Sequence, residues 1–99
     1  MSEIKEVAVT VLIGNSDDKL SQWDWSAYCE RTHELIKQYA KDIHFSGYSV
    51  GNAKWQNAAF VFVVDSEYLQ AMGEDLRIVK NQFNQESIAV VYGPTEFIK

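Results

Sequence analysis

Seven consecutive apolar residues, Ala58-Ala59-Phe60-Val61-Phe62-Val63-Val64, constrain this chain more than any other stretch. The run is too short for a typical helix, and its Val and Phe content favours a strand over Asn57 to Asp65. Successive residues of a strand point to opposite faces. Phe60, Phe62 and Val64 therefore share one side, and Ala59, Val61 and Val63 the other. Neither side offers a polar group to water. Both faces have to be covered.

The rest of the chain supplies the covering elements. Val7 to Ile13 reads as a first strand, with Val7, Val9, Val11 and Ile13 on one face and Ala8, Thr10 and Leu12 on the other. Gly14-Asn15-Ser16-Asp17-Asp18 ends it with turn residues. A helix begins near Ser21, where Ser21 and Asp24 form a loose capping box. Its apolar stripe is Trp25, Tyr28, Cys29, Thr32, Leu35, Ile36, Tyr39 and Ala40, while Glu30, Arg31, Glu34, Lys37, Gln38 and Lys41 face out. Ile43 to Val50 is a more polar strand, and Gly47 within it predicts a bulge or an edge position. Asp65-Ser66 is expected to cap a second helix with the stripe Leu69, Met72, Leu76, Val79 and Phe83. Asn84-Gln85 closes that helix. Ser87 to Tyr92 is the last main strand, broken by Gly93-Pro94, and Thr95 to Ile98 adds a short terminal strand.

The order β-α-β-β-α-β predicts an α+β ferredoxin-like plait, a four-stranded antiparallel sheet with both helices on one face. One domain over residues 1–99 is expected from the length. The first and third strands then take the centre, and the more polar second strand takes an edge. This layout leaves one sheet face bare, although the third strand is apolar on both. An apolar patch of several hundred square ångströms marks an interface. The sequence therefore predicts a homodimer through the sheet face. The competing cover is the chain itself, through the loop carrying Trp55 and the tail at Phe97.

Composition excludes several classes. Aromatic residues make up 13% of the chain, high enough to expect some at a contact surface. No apolar run approaches the roughly 20 residues of a membrane span, and Met-Ser-Glu-Ile-Lys-Glu lacks the pattern of a signal peptide. A single cysteine, Cys29, cannot form an internal disulfide and fits a reducing, cytoplasmic setting. The net charge of −5 comes from 14 acidic and 9 basic residues, and no Lys/Arg cluster suits phosphate binding. Direct nucleic-acid binding is not expected. Such acidity serves solubility, and it also suits a basic protein surface.

Catalytic and metal patterns are absent or weak. Cys29 and His33 lie one helical turn apart, as a thiolate–imidazole pair or two metal ligands would. Cys29 nevertheless falls on the apolar stripe and reads as core filler. His44 reads as an exposed strand histidine. Asp17, Asp18 and Asp24 with Asn15 fail the spacing of a calcium loop and read as a solvated turn. The glycines make no phosphate or dinucleotide loop. No catalytic residue, cofactor or metal is assigned.

What remains is the aromatic and amide-rich stretch Ser46 to Asn57 beside the apolar strand. Trp and Tyr near loops bury large areas at low entropic cost and anchor contacts. Tyr48, Trp55, Gln56, Asn57, Phe60, Phe62 and Tyr92 are the candidate partner-binding residues. Trp25 reads instead as a plug at the end of the core.

The stretches Leu12 to Gln22, Trp55-Gln56-Asn57-Ala58 and Thr95-Glu96-Phe97-Ile98 resemble motifs of small uncharacterised bacterial and phage-encoded proteins. That resemblance implies a stand-alone cytosolic protein and carries no activity. The expected function is that of a non-enzymatic acidic protein, dimeric through its sheet, which binds a host or partner protein. The alternative is a small-molecule site between the sheets of the dimer, as in dimeric α/β barrels, for binding or cofactor-independent catalysis. His44, Tyr48, Trp55 and Tyr92 would serve it.

Overall fold

The apolar run sits at the heart of the sheet, in a computed structural model that describes residues 5–15, 19–49, 56–94 and 98–99. Strand β1 (Glu6–Gly14) pairs antiparallel with β3 (Asn57–Asp65), from Glu6 against Asp65 to Gly14 against Asn57. Strand β2 (Asp42–Tyr48) pairs with the far side of β3, and β4 (Ala89–Gly93) with the far side of β1. The order β2-β3-β1-β4 is that of the plait, with the two most apolar strands in the middle. The fold is ferredoxin-like.

Helix α1 (Gln22–Tyr39) starts as its sequence predicts: the Ser21 hydroxyl accepts a hydrogen bond from the Asp24 N–H at 3.1 Å. It stops where Ala40 turns extended, and the Lys41 N–H donates to the Val63 carbonyl at 2.8 Å. The backbone passes directly from helix to sheet edge, without a glycine. Helix α2 (Leu69–Gln82) follows a single 3₁₀ turn at Ser66–Tyr68. The expected side-chain cap at Asp65-Ser66 is absent: the Asp65 carboxylate lies 3.6 Å from Lys41 Nζ, and the Ser66 N–H donates to the Lys5 carbonyl at 2.7 Å. At the other end, Asn84 adopts φ 56° and the Gln85 N–H reaches back to the Lys80 carbonyl at 3.1 Å. This left-handed closure satisfies carbonyls that the helix leaves open, and Asn tolerates it better than most residues.

The core lies between the helices and one face of the sheet. Val9, Val11 and Ile13 of β1 meet Ala58, Phe60, Phe62 and Val64 of β3 beneath Trp25, Tyr28, Ile36, Met72, Leu76 and Val79 of the helices. Trp25 is buried and contacts the Tyr28 ring edge-on, as its reading as a plug anticipates. Tyr28 stacks on Phe83 at 5.0 Å. Its hydroxyl is buried without a hydrogen-bond partner among the described residues, and burial, helped by the adjacent Cys29, pushes its pKa up to about 12. An unpaired buried hydroxyl costs on the order of 1–3 kcal/mol. Tyr28→Phe removes that cost while keeping the ring. The variant is expected to match or exceed the parent in urea denaturation, by about 1 kcal/mol. A loss of that size would mean that the hydroxyl is satisfied in solution.

The last predicted elements differ in extent. β4 covers Ala89–Gly93, shorter at its start than expected. Ile98 is exposed and outside any strand, while Thr95 to Phe97 lie outside the described residues.

Candidate functional site

Two features of this frame bear on function: the sheet face turned away from the helices, and a cleft between α1 and β2. Paired residues of neighbouring strands share a face, so the outer face can be read from the register. Its apolar part is Ala8, Thr10 and Leu12 of β1, Ala59, Val61 and Val63 of β3, Phe45 and Gly47 of β2, and Ala89 and Val91 of β4. Leu12, Phe45 and Val91 are 43%, 55% and 61% exposed. No described helix packs here, and no Lys or Arg occurs among these paired positions. Charge gathers at one end instead, where Lys41 Nζ bridges Glu6 at 2.7 Å and Asp65 at 3.6 Å.

Gly47 has a local reason. A Cβ there would come within 2.6 Å of the Phe45 ring, which lies over the glycine on this face. The expected edge position is right, but the irregularity falls between Ile43 and Phe45, not at Gly47. His44 occupies that irregularity, with Nε2 3.9 Å from the Asp42 carboxylate and both side chains exposed.

The second feature is a cleft of about 510 Å³ on the helix side of the sheet. Gln22, Trp25, Ser26, Cys29, Glu30 and His33 line it from α1, facing Tyr48, Ser49 and Gln56. Its inner end is locked by amides. Gln56 Nε2 donates to Gln22 Oε1 at 2.8 Å, and Gln22 Nε2 returns a bond to Gln56 Oε1 at 3.0 Å. The buried Asn15 joins them by donating to Gln56 Oε1 at 3.1 Å and to the Leu20 carbonyl at 3.0 Å. These bonds tie the end of β1, the start of α1 and the start of β3 together. The His33 ring stacks on Phe60 at 5.7 Å. The Cys29 thiol is buried, and desolvation pushes its pKa up to about 12, the opposite of an activated thiolate. Among the described residues no group of three His, Cys, Asp or Glu side chains is placed to hold a metal.

The predicted partner residues do not form one surface. Phe60 and Phe62 require correction: both are 0% exposed, on the helix side of β3, and cannot touch a partner. Being two residues apart they share a face, and the helices chose theirs. Gln56 is also buried, consumed by the amide network. Tyr48 and Tyr92 are exposed but stand on opposite edge strands, so with His44 they do not converge on one small-molecule site. Asn57 is exposed at the start of β3, and its N–H donates to the Ser49 hydroxyl at 2.9 Å. Trp55 lies outside the described residues, as does most of the loop offered as a cover for the sheet; so does Phe97.

Sequence reasoning missed the α1 wall of the cleft. The signal was present: Gln22, Ser26, Cys29, Glu30 and His33 recur at three- and four-residue spacing along one strip of α1. Weighed only as a catalytic or metal-binding pair, Cys29 and His33 pointed nowhere, and Gln22, Ser26 and Glu30 were not joined to them. Asn15 was assigned to a solvated turn, and is buried instead.

Fold and surface together define a two-layer ferredoxin-like α+β protein. No protein-family model matches the chain, and no curated protein matches it. Solved structures do resemble it. The designed protein Foldit4 aligns with TM-score 0.66 and 14% identity, over 93% of this chain and all of its own. A dimeric protein of unknown function and ferredoxin-like fold from Bacteroides fragilis aligns with TM-score 0.56 and 13% identity, over 94% of this chain and 100% of its own. SnoaB, a cofactor-independent oxygenase from Streptomyces nogalater, aligns with TM-score 0.56 and 6% identity over 97% of each chain. At these identities the likeness is one of fold. No described helix is long and apolar enough to cross a membrane.

Proposed function

We propose that this chain is a non-catalytic binding protein that works as a two-fold homodimer closed across its outer sheet face. The observation that carries the reading is that face itself: beyond the charged end of Glu6, Asp65 and Asp42, ten paired positions carry no charge and no described helix lies over them. A two-fold axis through the sheet lays the same apolar patch against itself, which is the simplest way to bury it. The Bacteroides fragilis neighbour, described as dimeric, supports the same use of this architecture. The charged cluster of Lys41, Glu6 and Asp65 at one end would limit how the two sheets can slide. A host or partner protein would then meet the remaining, acidic surface, and a basic partner is the kind its net charge of −5 favours.

Light scattering coupled to size exclusion tests the dimer. A mass twice the 11.3 kDa of one chain is expected at micromolar concentration. A monomer at millimolar concentration would end the proposal, because the outer face would then tolerate water.

A further inference from the structure

The cleft between α1 and β2 lies on the opposite side of the sheet from the proposed dimer face and within one chain. We propose that it binds a small planar cation, an aromatic amine or cationic heterocycle, and rejects anions of the same shape. Its volume of about 510 Å³ falls in the range of small-molecule sites. Three rings contribute to its walls: Trp25, His33 and Tyr48. Two serine hydroxyls, Ser26 and Ser49, offer hydrogen bonds. The Gln22 and Gln56 amides bond to each other and keep that end shaped without a ligand.

Charge selects the ligand. Among the described lining residues Glu30 is the only Asp, Glu, Lys or Arg. It has no ion-pair partner among the described residues. A bound cation would meet this carboxylate beside the Trp25 and Tyr48 rings, both favourable. A carboxylate or phosphate ligand would meet the same group with no Lys or Arg among the described lining residues to offset it. The Tyr48 phenol already senses this field: burial, then Cys29, then Glu30 hold its pKa above the ordinary value.

Tryptamine and indole-3-acetate carry the same ring with opposite charges and serve as probes in an NMR titration of the full chain. Tryptamine is expected to move resonances of Glu30, His33, Tyr48 and Ser49, and to bind about tenfold more tightly than indole-3-acetate. Glu30→Gln, at an exposed position, is expected to bring the two within about threefold of each other. Three outcomes would overturn the proposal: equal or tighter binding of the anion, an unchanged preference in Glu30→Gln, or no cleft resonance moving at about 5 mM probe. Each would leave the dimer reading standing, since the mass measurement does not involve this cleft.

Discussion

Phe62→Ala is expected to cost about 3–5 kcal/mol of stability, the largest loss of any single truncation considered for this chain. Phe62 is fully buried on β3, pairs with Val9 of β1 on one side and Ile43 of β2 on the other, and faces the helices. Removing its ring leaves a cavity among strands whose hydrogen-bonded register prevents collapse, so transfer and cavity costs add. A domain of this size has a total stability of about 5–15 kcal/mol. The variant should therefore unfold at a much lower urea midpoint with an unchanged slope. A loss below about 1 kcal/mol would show that Phe62 is not a core residue in solution.

Val61→Glu, one residue away, is expected to behave in the opposite manner. Val61 faces outward, between Thr10 of β1 and Phe45 of β2. In a monomer the new carboxylate reaches water, and the fold loses about 1 kcal/mol or less, mainly strand preference. Across a two-fold interface the same change buries an unpaired charge in each protomer. The dissociation constant should rise by at least about 100-fold, while the circular dichroism spectrum is retained. Leu12→Glu on the same face should do likewise. Gln38→Glu, on exposed α1, adds the same charge elsewhere and should leave the mass unchanged. A folded Val61→Glu protein that remains dimeric would place the interface on another surface.

The contrast between these neighbours shows where sequence reasoning reached and where it stopped. Strand period alone separates Phe62 from Val61, and helical period alone assigns Tyr28, Ile36, Met72 and Leu76 inward. Both helices, all four main strands and their order in the sheet were legible because each has its own periodicity. The N-terminus of α1 was legible at Ser21, since capping is local chemistry. The start of α2 was not: the Asp65 carboxylate expected to cap it faces Lys41, and the Ser66 N–H goes to Lys5, both distant in sequence. The cleft was obscured for the same reason. Gln22 and Gln56 are ordinary surface amides until the fold brings them within 2.8 Å.

Left to itself, the sequence determined the strands and helices, the plait, and the presence of one apolar face too many. It did so because periodicity and burial are properties of short segments. Only the tertiary structure decided which face of β3 the helices took. Both of its faces are apolar, so nothing local distinguishes them. The choice went to the side carrying Phe60 and Phe62, whose large rings fill the space between sheet and helices. The smaller Ala59, Val61 and Val63 were left on the outside. That packing decision moves the candidate interface off the two phenylalanines and onto the face behind them.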